Sequence, residues 1–120
     1  MREILFKGKR LDTKEWIIGD LIHRFDFSQQ LPEYGNLSIK QIGGEEYSII
    51  PETLCEFTGR LDSNKNKIFE NDSITWMCKG SHITGTVYYS SYGWWIKDER
   101  GGNTTQLYKA SSVVVIGSKV

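Results

Sequence analysis

Residues 62 to 73 read DSNKNKIFENDS, and the fold turns on whether this stretch holds a metal ion or turns the chain. Asp62, Asn64 and Asn66 set oxygen-bearing side chains at every second position, the way an EF-hand loop begins. Such a loop needs Gly at its sixth position and a bidentate Glu at its twelfth. Lys67 and Ser73 stand there instead, and Lys67 would bring positive charge to the ion. Asn and Asp tolerate left-handed backbone and bond to their own main chain, so Asp62 to Lys67 makes a hairpin tip. The apolar pair Ile68-Phe69, the polar turn Glu70-Asn71-Asp72 and a new strand from Ser73 fold the loop back and anchor it through Phe69. No metal and no cofactor is expected.

Working outward, period-two alternation dominates. In LIHRFDF, Leu21, His23, Phe25 and Phe27 face one way and Ile22, Arg24 and Asp26 the other. NLSIK and EEYSII flank Gly43-Gly44 and read as a hairpin, and TLCEFT is a further strand. After the loop the chain is a meander: SITWMCK, the turn Gly80-Ser81, HITGTVYYS, a turn at 91–93, WWIKDE, Gly101-Gly102, TTQLY and SSVVVIG. Sustained helical periodicity is missing; the best helical turn is around 28–35, stopped by Pro32 and Gly35. The looser first half and tight second half place a lobe boundary near Thr58–Gly59. The expected organisation is two small antiparallel β lobes, 1–58 and 59–120.

The bulk numbers agree with a folded globular chain. In 120 residues, four Trp, six Tyr and five Phe can bury enough area for a core without disulfides. Net charge is zero, which gives no overall basic field towards nucleic acid or acidic lipid. The charge is uneven: residues 1–25 carry six Lys/Arg against four Asp/Glu, residues 26–56 one against six, and residues 57–120 eight against five. No run approaches the roughly 20 apolar residues that span a bilayer. MREILFKGKR holds only a three-residue apolar run, so a secretory signal is not expected. Cys55 and Cys78 then read as two reduced, half-buried thiols rather than one structural disulfide, and the glycosylation triplets at Asn36, Asn71 and Asn103 as chance.

Catalytic groups are not expected. His23 reads as a core or rim histidine on the apolar side of its strand, and His82 as an exposed one after a turn. Neither has a ligand-spaced Cys or second His, and Cys78 with His82 makes no more than an accidental nucleophile pair. Glu70 and Asp72 sit two apart, as paired acids do in hydrolases, but a turn favours Asp72 capping backbone amides before the next strand. The candidate contact surface is aromatic: Tyr88, Tyr89, Tyr92, Trp94 and Trp95 fall around one turn, with Lys97, Arg100 and Lys109 near in sequence. Alternation sends one of Trp94 and Trp95 inward and the other outward, and exposes one of Tyr88 and Tyr89.

FTGRLDSNKNKIFENDSI resembles the central signature of the YopX family of phage and prophage proteins. Phe57, Thr58, Gly59, Asp62, Asn64, Ile68, Phe69, Glu70, Asp72 and Ile74 match it in order. REILFKGKRLDTKEWIIGDLI is similar to the family's start, and VVVIG to its closing strand. Asn66 or Lys67 stands where the family has a turn Gly, and Asn71 where it has Glu-Gly-Asp; Asn is the best substitute for positive φ. The resemblance implies an all-β protein whose second half is an SH3-like barrel, and brings no activity with it. The expectation is a non-enzymatic β module in the cytoplasm of a bacterial host, off the membrane, binding other proteins or itself as a homo-oligomer. The alternative is a nucleic-acid-binding module that uses the SH3-like lobe.

Overall fold

A computed structural model describes residues 3–23, 37–90, 93–102 and 104–120. It is an all-β protein built from antiparallel sheets. The chain forms two compact units, Met1–Glu56 and Phe57–Val120. The division expected at Thr58–Gly59 falls earlier, between Glu56 and Phe57, inside one strand.

The first unit holds β1 (Phe6–Lys9), β2 (Trp16–His23), β3 (Leu37–Gln41), β4 (Glu46–Ser48), a 3-10 turn (Pro51–Thr53) and the start of β5 (Cys55–Leu61). β2 lies between β1 and β3, β4 pairs with the far side of β3, and Cys55 and Glu56 run antiparallel to β1. The Gly43-Gly44 hairpin is present, with Gly43 at positive φ. Alternation buries Ile17 together with Ile39 and Ile49, with Phe6, Leu37, Tyr47 and Leu54 packed around them. Thr53 ties the 3-10 turn to β1: its Oγ1 accepts from Lys9 N at 2.8 Å and donates to Ile50 O at 2.6 Å.

The strand expected over LIHRFDF begins earlier, at Trp16, because WIIG already has the β-branched bulk of a strand. His23 pairs with Leu37 on the Leu21 side of the sheet, yet it is exposed rather than set in a core. Phe25, Phe27 and the helical turn expected at 28–35 lie outside the described residues. In mid-strand, Gly19 lets the β3 backbone approach closely. A Cβ there would overlap the Lys40 carbonyl oxygen and lie 2.7 Å from its carbon.

The second unit contains the rest of β5, then β6 (Lys67–Phe69), β7 (Asp72–Cys78), β8 (Ser81–Ser90), β9 (Gly93–Asp98), β10 (Thr104–Gln106), a 3-10 turn (Leu107–Lys109) and β11 (Ser111–Ser118). Five strands pair in the order β10-β9-β8-β7-β11, so the last strand returns to the first of the meander. Ile68, Ile74, Trp76, Val87, Ile96, Leu107 and Val113 form the core. Among the described residues, backbone pairing does not join β10 to β11, so the sheet is open where the resemblance implies a barrel. The β7–β8 turn is Lys79-Gly80, both at positive φ, one residue before the expected Gly80-Ser81. Two such residues match the twist of the flanking strands.

The loop after β5 is a turn, and its carboxylate is spent on the backbone. Asp62 is 6% exposed. Its Oδ1 accepts from Asn64 N at 2.9 Å and Asn66 N at 2.8 Å, and its Oδ2 accepts from Val115 N at 2.9 Å. Ser63 N donates to Val113 O at 2.8 Å, so the tip is stitched onto β11. The left-handed residue is Lys65 (φ 66), not Asn66 or Lys67. A Lys side chain gains nothing in that conformation, whereas Gly has no Cβ to clash. Lys65→Gly should raise stability by about 0.5–1 kcal/mol, read from the denaturant midpoint. An unchanged or lower midpoint would contradict the left-handed assignment.

Candidate binding surface

The aromatic cluster sits on the β8–β9 hairpin, whose register decides which residue faces where. Tyr89 pairs with Trp94, Val87 with Ile96 and Gly85 with Asp98, all on the core side. Tyr88 pairs with Trp95 and Thr86 with Lys97 on the outer side. Trp94 is therefore the inward tryptophan, half-buried and packed against the core. Tyr89 shares that side but lies near the end of the hairpin, past the buried core; it is 57% exposed. It meets the Trp94 ring edge-on, 5.1 Å between centroids. Tyr92 lies outside the described residues.

On the outer side, Tyr88 and Trp95 are both half-buried, and Lys97 is exposed between Thr86 and Thr104. Thr86, Tyr88, Lys97 and Thr104 line a hollow of about 440 Å³. Among the described residues, the buried Trp95 Nε1–H has no hydrogen-bond partner, a donor that water or a partner would ordinarily satisfy. Arg100 is not part of either face. It follows the other end of β9, its backbone N donating to Asp98 Oδ1 at 2.9 Å beside a polar hollow shared with His82. The residues expected to form one surface thus divide among two faces and a turn.

A second shallow hollow, of about 160 Å³, lies beside Trp94 and is lined also by Thr58, Arg60, Gln106, Leu107 and Tyr108. The Arg60 guanidinium builds it by donating to Leu107 O and, at 2.7 Å, to Ala110 O, so the 3-10 turn is clamped at both ends. Tyr108 then stands 69% exposed, with Lys109 Nζ 5.7 Å from its ring centroid. Trp94 and Tyr108 line this hollow, and Tyr89 extends the aromatic rim from the edge of the Trp94 ring.

A family model described as YopX protein matches residues 5–119. The chain belongs to the YopX family. No curated protein and no solved structure matches it. The YopX signature lies in the loop and its supports. Phe57 and Phe69 rings pack 5.5 Å apart, Thr58 Oγ1 donates to Ile68 O at 2.7 Å, and Ile68 is buried. Asp72, 1% exposed, accepts the Phe69 N–H at 2.8 Å, the backbone-capping role expected of it. Asn71 takes φ 67 in the same turn. Glu70 is half-exposed, whereas Asp72 is buried in its capping role.

Other candidate chemistry in this YopX chain separates in space. Cys78 packs against the core, whereas His82 pairs with Met77 on the opposite face of the sheet. Cys55 is buried in the first unit, its Sγ donating to Thr53 O at 3.3 Å. Among the described residues, no three His, Cys, Asp or Glu side chains gather as metal ligands, and no helix is long and apolar enough to cross a membrane. Sequence reasoning missed Arg60 and Tyr108, and in the first unit Trp16, 37% exposed with Lys7 and Lys9 over its ring. For Trp16 the signal was KGK ahead of EWI, where alternation sets two lysines on one side of a strand.

Proposed function

We propose that this YopX protein is a prophage-derived, non-enzymatic binding module of the bacterial cytoplasm that associates with a second copy of itself through the rim of Tyr89, Trp94 and Tyr108. The observation that carries this reading is the exposure of Tyr108, which lines a hollow with Leu107 and Trp94, together with that of Tyr89, whose ring meets Trp94 edge-on. Aromatic residues with a polar tip gain most when a partner covers them, and they are enriched at interfaces. Pairing through the β11 edge is a weaker route, because Asp62 and Ser63 already occupy the Val115 N–H and Val113 carbonyl. The return of β11 to β7 after a 3-10 turn supports the SH3-like curl that the resemblance implies.

Light scattering after size exclusion tests the reading. The expected mass is a multiple of 13.8 kDa, and Tyr89→Ala with Tyr108→Ala returns it to the monomer without lowering the melting temperature. A wild-type mass of one chain across all concentrations would sink the proposal. Nucleic acid at the second unit is the second reading, supported by Lys97 on the same face as Tyr88 and Trp95. One exposed cation beside two half-buried rings is slender support for a phosphate backbone.

A further inference from the structure

The first unit has its own aromatic face, independent of the rim and of self-association. Trp16, Ile18 and Asp20 alternate outward along β2, with Trp16 37% and Ile18 43% exposed. In register beside them on β1 stand Lys9 and Lys7. Their Nζ atoms lie 5.2 and 4.7 Å from the centroid of the Trp16 ring. Both cations come from the β1 side. On the other side β3 stops at Gln41, opposite Gly19, so among the described residues no strand pairs alongside Trp16 there. Asp20 is in register with Lys40, and Asp12 holds Arg10 through two hydrogen bonds of 2.9 and 2.7 Å.

We infer that this face binds single-stranded nucleic acid, with a base stacked on the open side of Trp16 and the flanking phosphates at Lys7 and Lys9. A single strand offers flat unpaired bases alternating with negative charge, the complement of a ring bordered by ammonium groups. A duplex keeps the faces of its bases stacked away, and an acidic peptide brings charge without a ring. The hydrophobic Ile18 beside Trp16 extends the stacking platform along the strand.

The test is a fluorescence-anisotropy titration of the full chain on a labelled oligothymidylate of about 20 nucleotides, over a range of salt starting near 50 mM. Trp16→Ala should weaken binding about tenfold or more, and Trp16→Phe should keep most of it. The double variant Lys7→Gln, Lys9→Gln leaves the ring in place and should flatten the log–log salt slope by about 1.4, two single-strand phosphate contacts at about 0.7 each. The inference is overturned if the wild type gives no anisotropy change, or if a duplex of the same length binds as tightly. It is also overturned if polyglutamate competes as well as unlabelled oligothymidylate, or if Lys97→Gln abolishes binding that Trp16→Ala leaves intact. Should Trp16→Ala lower the melting temperature, the lysine variant decides, and an unchanged salt slope then overturns the inference.

Discussion

Asp62→Ala lowers the unfolding free energy by about 3 kcal/mol at neutral pH, read from the denaturant midpoint. The carboxylate accepts three backbone N–H groups, from Asn64, Asn66 and Val115. Bonds to a charged acceptor each contribute about 1.5–3 kcal/mol, and they are not additive within one cluster. Alanine leaves the Val115 donor under the loop without its acceptor. Asp62→Asn keeps the shape and one acceptor oxygen, so it should cost about half as much. A loss below about 1 kcal/mol for the Ala variant would contradict the stitching role.

Acid should reproduce part of that loss. Burial pushes the Asp62 carboxyl up, but hydrogen bonds from Val115, Asn66 and Asn64 outweigh it and hold the group below the usual carboxylate range. A carboxyl with a depressed folded pKa contributes stability above its unfolded value of about 3.9, and loses it as pH falls through the folded value. The gap between wild type and Asp62→Asn should therefore be full at pH 7 and shrink below about pH 4. A constant gap across that range would mean that charge is not what holds the loop.

Gly19→Ala is the second large effect, with an expected loss of about 3 kcal/mol in the first unit. The new Cβ would overlap the Lys40 carbonyl, and Gln41 Cα lies 3.0 Å away. All of these are backbone atoms in a strand paired on both sides, so no side chain can swing aside. Hydrogen exchange localises the damage: amides of Trp16–His23 and Leu37–Gln41 should lose protection, while those of Asp72–Ser90 keep theirs. Equal protection in wild type and variant would show that β3 can shift.

Much of the fold was legible because its signals are chemical and local. Asp62 and Asn71 are residue types with a reason to sit in turns, and the apolar pair Ile68-Phe69 beside them reads as the anchor that both buried side chains provide. Positive φ at Lys65 and Lys79 was not legible, since lysine has no preference for that conformation. The two 3-10 turns span three residues each and leave no period to read. Arg60 meets the carbonyls of Leu107 and Ala110 only after the meander has folded. On β2, Trp16-Ile17-Ile18 is apolar on both sides of the strand, which hid the outward face that Trp16 and Ile18 build.

For surface candidates, alternation separated Trp94 from Trp95 but could not say which points inward. That choice depends on which register β8 and β9 adopt, and it follows from the burial of Val87 against Ile96. Exposure of Tyr89 also needed the structure, because it arises from a hairpin that outreaches its core.

The two thiols give the molecule a pair of internal clocks. Cys55 belongs to the first unit and is buried, Cys78 borders the core of the second, and neither is tied up in a disulfide. Alkylation of either sulfur waits on the opening of its surroundings, so the two rates time the breathing of each unit in one unmodified chain. A partner that quiets one half of the protein would slow one clock and leave the other running.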